Sequence, residues 1–206
     1  MEIKNIRNLI FDFGGVLIDL DRNRCIEQFR QLGLTDIDKM LDVSHQQDFF
    51  LQLETGRISC EEFRDCVSLH IGHPVSDEAI DEAWNSFLVG IPTYKLDLLL
   101  ELRKDYMVYL LSNTNAIHWE WARKHAFPHK GFRTEDYFEQ TFLSYEMHLA
   151  KPNPAIYQQV LDETDIRPEE TLFIDDSPEN CSVAQTLFGI STYCPKPHED
   201  WSHLVQ

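Results

Sequence analysis

The sequence predicts an α/β fold, a parallel sheet with helices on both faces, interrupted by a smaller helical unit. Three observations carry that prediction. From about residue 91 onward short apolar runs alternate with helical stripes, the pattern of parallel strands joined by helices. Near the start, Leu9-Ile10-Phe11-Asp12-Phe13-Gly14-Gly15-Val16-Leu17 is an apolar run of strand type that ends on one carboxylate and turns at a glycine pair. Between these parts, residues 21 to 90 read as purely helical, so a helical block interrupts the first strand-to-helix connection.

The elements follow in order. Arg22 to Leu32 places Cys25, Ile26, Phe29 and Leu32 on one helical stripe. Thr35-Asp36 opens a second helix, and Gln46 to Leu53 reads as a third that Gly56 breaks. Ser59 followed by Glu62 has the spacing of a capping box before Phe63 and Val67. Ser76 starts another helix, with Ala79, Ile80, Ala83, Trp84 and Phe87 inward, and Pro92 marks the boundary. Beyond it, Tyr94 to Leu102 is helical, Tyr106 to Leu111 a strand and Ala116 to His125 a helix. Phe142-Leu143 is a short strand, Pro154 to Leu161 a helix and Leu172 to Ile174 a strand. Glu179 to Phe188 and Ile190 to Tyr193 complete the alternation as helix and strand.

Composition narrows the classes of function. A chain of 206 residues with 43% apolar content is long enough to bury a sizeable core. It has no apolar run of the ~20 residues a membrane helix needs and no signal-peptide pattern, so the expected location is the cytoplasm. The five cysteines, Cys25, Cys60, Cys66, Cys181 and Cys194, form no CxxC and read as reduced structural thiols. The net charge of −17 argues against nucleic acid as a partner. An anionic substrate would need local attraction from a cation, a lysine or helix N-termini.

The chemistry concentrates at strand ends. The first strand ends at Asp12, the second at Ser112-Asn113 and a later one at Asp175-Asp176, while Lys151-Pro152 precedes a helix opening at Asn153-Pro154. In a parallel sheet these ends share one edge, where such folds place their ligands. Three carboxylates would then converge with a hydroxyl, an amide and a lysine. Like charges in one crevice repel and need a counter-charge. A hard divalent cation with oxygen ligands supplies it, and Mg²⁺ also binds phosphate. An aspartate can serve as nucleophile in phosphoryl transfer, with Lys151 offsetting the charge on the transferring group and Ser112 donating to it.

The segments FDFGGVL, LLSNTN, KPNPAIY and FIDDSPEN, in this order, resemble the haloacid dehalogenase superfamily, mainly its phosphatase-like members. The resemblance implies a Rossmann-like core over residues 1–20 and 91–206 and a helical cap over 21–90. It matches Asp12 to the nucleophile, Ser112 with its neighbour Asn113 to the phosphate-binding segment, and Lys151 to the lysine of the third motif. Asp176 matches the acidic Mg²⁺ ligand and Asp175 the carboxylate behind it. The third protein ligand is a main-chain carbonyl, which falls on Gly14. The implied substrate is a small phosphorylated metabolite; the oligomeric state is open.

The chain departs from the family pattern at one place. Phosphatases of this family carry a second aspartate two residues after the nucleophile, which protonates the leaving oxygen and then activates water. Gly14 stands there and can do neither. Loss of such a group costs ~10²–10⁴-fold. Asp19 or Asp21 could take over the role. The D-x-G variant is also similar to a bacterial glucose-1-phosphatase-like branch, and an anomeric oxygen leaves more easily than an alkoxide, which favours sugar 1-phosphates. Two rival readings remain: a metal-free 2-haloacid dehalogenase, against which Asp175-Asp176 argues, and a catalytically weak phospho-ligand-binding protein. In the cap, Glu54-Thr55-Gly56-Arg57 falls near the family's substrate-specificity loop. Arg57 is the candidate to meet a substrate hydroxyl or charge, or else a solvated turn residue. His45, Trp119 and Trp121 are weaker candidates, and Trp119 is expected to pack in the core.

Overall fold

The computed structural model describes residues 5–41, 49–196 and 199–201. Among these residues seven strands are formed: β1 (Asn8–Phe11), β2 (Asp19–Leu20), β3 (Leu88–Gly90), β4 (Met107–Ser112), β5 (Gln140–Leu143), β6 (Thr171–Ile174) and β7 (Ser191–Tyr193). Helices α1 (Arg22–Leu32), α2 (Ile37–Met40), α3 (Phe49–Glu54), α4 (Cys60–Ile71) and α5 (Asp77–Asn85) precede β3. After it come α6 (Thr93–Leu102), α7 (Ala116–His125), α8 (Thr134–Tyr137), α9 (Ser144–Met147), α10 (Pro154–Thr164) and α11 (Pro178–Phe188).

Five strands make one sheet in the order β5-β4-β1-β6-β7, every neighbouring pair parallel. β1 lies in the middle with all four residues buried, which is why it reads as a continuous apolar run and not as an alternating one. The two faces are still separated by residue parity. Leu9, Phe11, Val108, Leu110, Leu172 and Ile174 pack with Leu96, Leu99 and Leu102 of α6 and Trp119 and Ala122 of α7. Ile10, Tyr109, Leu111, Phe142 and Phe173 face the other way, onto α10 through Ile156, Tyr157 and Val160 and onto α11 through Ala184. This is the predicted sheet with helices on both faces.

The helical block has a core of its own. Cys25, Ile26, Phe29, Phe49, Phe50, Leu53, Phe63, Val67, Ile80, Ala83 and Trp84 are buried together, joined by Ile117 of α7. The local signals behave as read. Ser59 and Glu62 close both bonds of the capping box, Ser76 caps α5, and Asp21 caps α1 by accepting from the Arg24 N–H. Residues 46–48 of the expected third helix lie outside the described residues.

The expectation that residues 21 to 90 are purely helical needs one correction. Leu88–Gly90 form a strand, antiparallel to Asp19–Leu20, where the chain enters and leaves the helical block. Asp21 N–H donates to Phe87 O at 2.8 Å, and the Arg24 guanidinium donates to Ser86 O and Leu88 O, each at 2.6 Å. Three residues are too few for a periodic signal; the pairing comes from the chain passing beside itself. All five cysteines are free. Among the described residues no helix is long and apolar enough to cross a membrane.

His118 of α7 ties the helical block to the sheet. Its ring is buried, stacks on Trp84 at 4.3 Å, and donates from Nε2 to Trp84 O at 3.0 Å. Burial pushes its pKa down to about 4. The unfolded chain, with an ordinary imidazole near 6.5, therefore binds the proton more readily than the folded one. Stability should be full above pH 6.5 and fall as the pH drops through the window from 6.5 to 4. Denaturant unfolding of wild type and His118→Phe at pH 7 and pH 5 should show the wild type losing about 2 kcal/mol relative to the variant. Parallel loss in the two proteins would show that His118 is not the group responsible.

Candidate active site

The parallel topology delivers the predicted residues to one edge. Asp12 follows β1, and its N–H donates to Ile174 O at 2.8 Å, which continues the β1–β6 ladder one residue beyond the strand. Ser112 ends β4, and Asp175 and Asp176 follow β6. Lys151 arrives from the other side of the sheet, in the turn before α10.

Lys151 is the centre of the cluster. Its buried ammonium donates to Asp12 Oδ1 at 2.8 Å, Asp175 Oδ2 at 2.7 Å and Leu111 O at 2.8 Å, so all three of its protons have acceptors. Burial disfavours this charge, but the two carboxylates outweigh it and the lysine pKa rises. Asp175 is fully buried and fully engaged. It accepts from Ser177 N–H at 2.8 Å and from Asn180 Nδ2 at 3.0 and 3.1 Å in addition to Lys151. Its geometry is that of a residue that orients the lysine.

Oxygens of Asp12, Asp175 and Asp176 all lie within 4.8 Å of one another. Burial pushes the Asp12 carboxyl up to about 7; Lys151 opposes the rise and Asp175 and Asp176 add to it. Asp176 is also raised, first by its surroundings and then by Asp175. Gly15 makes room for that carboxylate: its φ is +72°, and a Cβ there would lie 2.3 Å from Asp176 Oδ2. Gly14 is different, because a Cβ would sit 3.2 Å from the flexible end of Leu20.

Ser112 Oγ is buried, and among the described residues it has no hydrogen-bond partner, so its donor faces the edge unused. The Asn113 side chain engages the backbone of Lys151. Its Oδ1 accepts from Lys151 N–H at 2.8 Å and its Nδ2 donates to Lys151 O at 2.9 Å, so the amide clamps the lysine's backbone. Arg57 stays exposed at the turn after α3, and among the described residues no hydrogen bond or ion pair engages its guanidinium. Asp21 is spent on capping α1. Asp19 lines a cavity of about 310 Å³ with Gly15, Tyr94, Lys95 and Asp176, and its carboxylate lies 4.0 Å from the Lys95 ammonium. Trp119 packs edge-on against Phe13 in the core, as expected, and Trp121 lies against His125. His45 lies outside the described residues.

Sequence reasoning missed four residues. Asn180 holds Asp175 from the first turn of α11; its place in FIDDSPEN was the available signal. Lys95 is buried and donates to Val16 O at 2.7 Å, and Trp201 Nε1 donates to the same carbonyl at 3.0 Å, so two distant elements pin the loop after Asp12. Ser144, also buried, accepts from Thr114 N–H at 2.9 Å and donates to Glu54 O at 2.6 Å. The contacts of Lys95, Trp201 and Ser144 span between 30 and 185 positions, and no local pattern announces them.

Comparison with known proteins points the same way. Residues 6–186 match the model of the haloacid dehalogenase-like hydrolases. A D-ribitol-5-phosphate phosphatase from Bacteroides thetaiotaomicron is 39% identical over 196 residues, covering 95% of each chain. A crystal structure of a HAD family enzyme from the same organism, in complex with magnesium and inorganic phosphate, superposes with a TM-score of 0.94 at 58% identity, covering 98% of this chain and 100% of that one. A HAD-like family hydrolase from Porphyromonas gingivalis follows at 0.91 and 39%, covering 98% and 96%.

The two glycines should respond differently to a methyl group. Gly15→Ala puts a non-glycine residue at positive φ and a carbon against the Asp176 carboxylate, and should destabilise the protein by roughly 1–3 kcal/mol. Gly14→Ala meets only a movable leucine and should cost less than half as much. Chemical denaturation of both variants checks this, and equal costs would show that Asp176 yields freely.

Proposed function

The chain belongs to the haloacid dehalogenase-like hydrolase family, and from that premise we propose that it is a Mg²⁺-dependent phosphomonoesterase acting on a small phosphorylated metabolite through an aspartyl-phosphate on Asp12. The observation that carries this reading is one buried lysine shared by Asp12 and Asp175, with Asp176 adding a third carboxylate to the cluster. Lys151 cannot balance three carboxylates alone, and an oxygen-only donor set suits a hard divalent cation. Asp12, Asp176 and the Gly14 carbonyl are the residues that would hold Mg²⁺, and the space left by the missing Gly15 side chain fits that arrangement. Bound there, Mg²⁺ would offset negative charge on the phosphoryl group.

The chain's own residues do the rest. Asp12 is the nucleophile, oriented by Lys151. The free Ser112 hydroxyl donates to a phosphoryl oxygen, and the Lys151 ammonium offsets charge on the same group. Asp175 and Asn113 keep Lys151 in place from its side chain and its backbone. The helical block 21–90 acts as the cap that covers the site and excludes water, with Arg57 on its turn as the contact for the far end of the substrate.

The relative named for D-ribitol 5-phosphate supports an open-chain polyol phosphate over a sugar 1-phosphate. The carboxylate cluster also disfavours a dehalogenase, which attacks carbon without a metal.

Asp12→Asn should lower turnover of phosphate esters by at least ~10³-fold while the far-UV circular dichroism stays unchanged. Retention of a sizeable fraction of the activity would exclude the covalent route.

Asp176→Ala should lose the response of the rate to added Mg²⁺, and excess chelator should silence the wild type. A wild-type enzyme that works fully in chelator would refute the metal-dependent reading.

A further inference from the structure

The site as built has a nucleophile and donors for the phosphoryl group, but position 14 holds no acid for the leaving oxygen. For a primary alkyl phosphate this matters, because an alkoxide is a poor leaving group. Asp21 is spent on a helix cap, and Asp19 faces the Lys95 ammonium. Among the described residues, another acidic side chain stands at the junction between the helical block and the sheet edge: Glu54, the last residue of α3.

Its place is fixed from the sheet side. The Glu54 carbonyl accepts from Ser144 Oγ, and the same hydroxyl accepts from the N–H of Thr114, two residues beyond Ser112. Thr55 O lies 3.2 Å from His148 Nδ1. Gly56 follows at φ +61°, so close to the sheet-side loop that a Cβ would lie 2.1 Å from Tyr145 O. The turn that carries Glu54 is therefore seated beside the strand end that presents Ser112. Among the described residues no hydrogen bond or ion pair engages the Glu54 carboxyl.

α3 packs against α4 and α9, whose ionisable groups are otherwise occupied or exposed. Glu62 closes its capping box, Arg64 pairs with Asp81 and Asp77, and His70 Nδ1 bonds Cys66 O. Glu61 and Asp65 are exposed, Cys60 and Cys66 are half-buried, and Glu146 accepts from Tyr145 Oη at 3.0 Å. Burial alone pushes Glu54 up to about 7, with no charged neighbour contributing. Such a carboxyl is poised to give and take a proton near neutral pH.

We propose that Glu54 is the proton-transfer residue of this enzyme, standing in for the side chain that Gly14 lacks. The proposal rests on the phosphomonoesterase reading above. As an Asp12 oxygen bonds to phosphorus, the bond between phosphorus and the ester oxygen breaks, its electron pair stays on that oxygen, and the Glu54 proton joins it. Water then bonds to phosphorus, the bond to Asp12 breaks, and the water's proton returns to the Glu54 carboxylate. Both side chains end as they began.

The test compares wild type, Glu54→Gln and Glu54→Asp on the fastest of a panel of primary alkyl phosphates, ribitol 5-phosphate included, and on 4-nitrophenyl phosphate, whose leaving group needs no proton. Glu54→Gln should lose ~10²-fold or more in kcat/KM on the alkyl ester. On the aryl ester its kcat/KM should change little, while kcat falls and a burst of nitrophenol appears as phosphoenzyme accumulates. The wild-type alkyl-ester profile should fall on its alkaline side above about pH 7, and Glu54→Gln should lack that limb. Glu54→Asp, which keeps the acid on a shorter arm, should recover part of the alkyl-ester rate. Equal losses on the two esters, no loss on either, or an unchanged alkaline limb in Glu54→Gln would overturn the proposal. A wild type that turns over neither ester would instead overturn the phosphomonoesterase reading.

Discussion

The buried ammonium of Lys151 is the interaction on which the active edge depends. A chain with a net charge of −17 gathers three carboxylates within 4.8 Å, and that arrangement is repulsive unless a cation stands among them. Lys151 has three donors and three acceptors, two of them carboxylates and one the carbonyl that ends the interior of β4. Removing it would leave Asp175 buried with an uncompensated charge, a far larger penalty than the loss of one hydrogen bond. The supporting residues follow from this constraint: Asn180 and Ser177 N–H fill the remaining lone pairs of Asp175, and Asn113 fixes the lysine's backbone.

The loop after Asp12 is held by a second, separate device. Val16 O receives both the Lys95 ammonium and the Trp201 indole N–H, from α6 and from the last described residue. The loop is therefore anchored just beyond Gly15, where a side chain would collide with Asp176. Close approach of two backbone segments at a charged edge leaves no room for a Cβ, so glycine is a packing requirement here.

The helical block meets the sheet domain through specific polar contacts. His118 reaches Trp84 O, and Ser144 binds Glu54 O. The buried side-chain atoms without partners among the described residues are Trp84 Nε1, Asn85 Oδ1, Ser112 Oγ and Asn115 Nδ2. Trp84 and Asn85 lie in α5, Ser112 ends β4, and Asn115 caps α7, the helix against which α5 packs.

Local chemistry determined what the sequence alone could reveal. Strand and helix periodicity, the Ser59–Glu62 box and the placement of Asp12, Ser112 and Asp175-Asp176 after apolar runs each depend on neighbours a few residues apart. The alternation of strand and helix then implied one parallel edge, and the order of the four polar segments along the chain was enough to set them on it. Tertiary structure decided the rest. β3 is a strand only because the outgoing chain meets the incoming one. Asn113 serves Lys151's backbone, 38 positions away, and Asp21 serves a helix end. The roles of Lys95, Ser144, Trp201 and Glu54 arise from contacts across the fold. Hydrogen bonds and burial depend on distance in space, and a sequence shows such distances only where the chain has not yet turned back on itself.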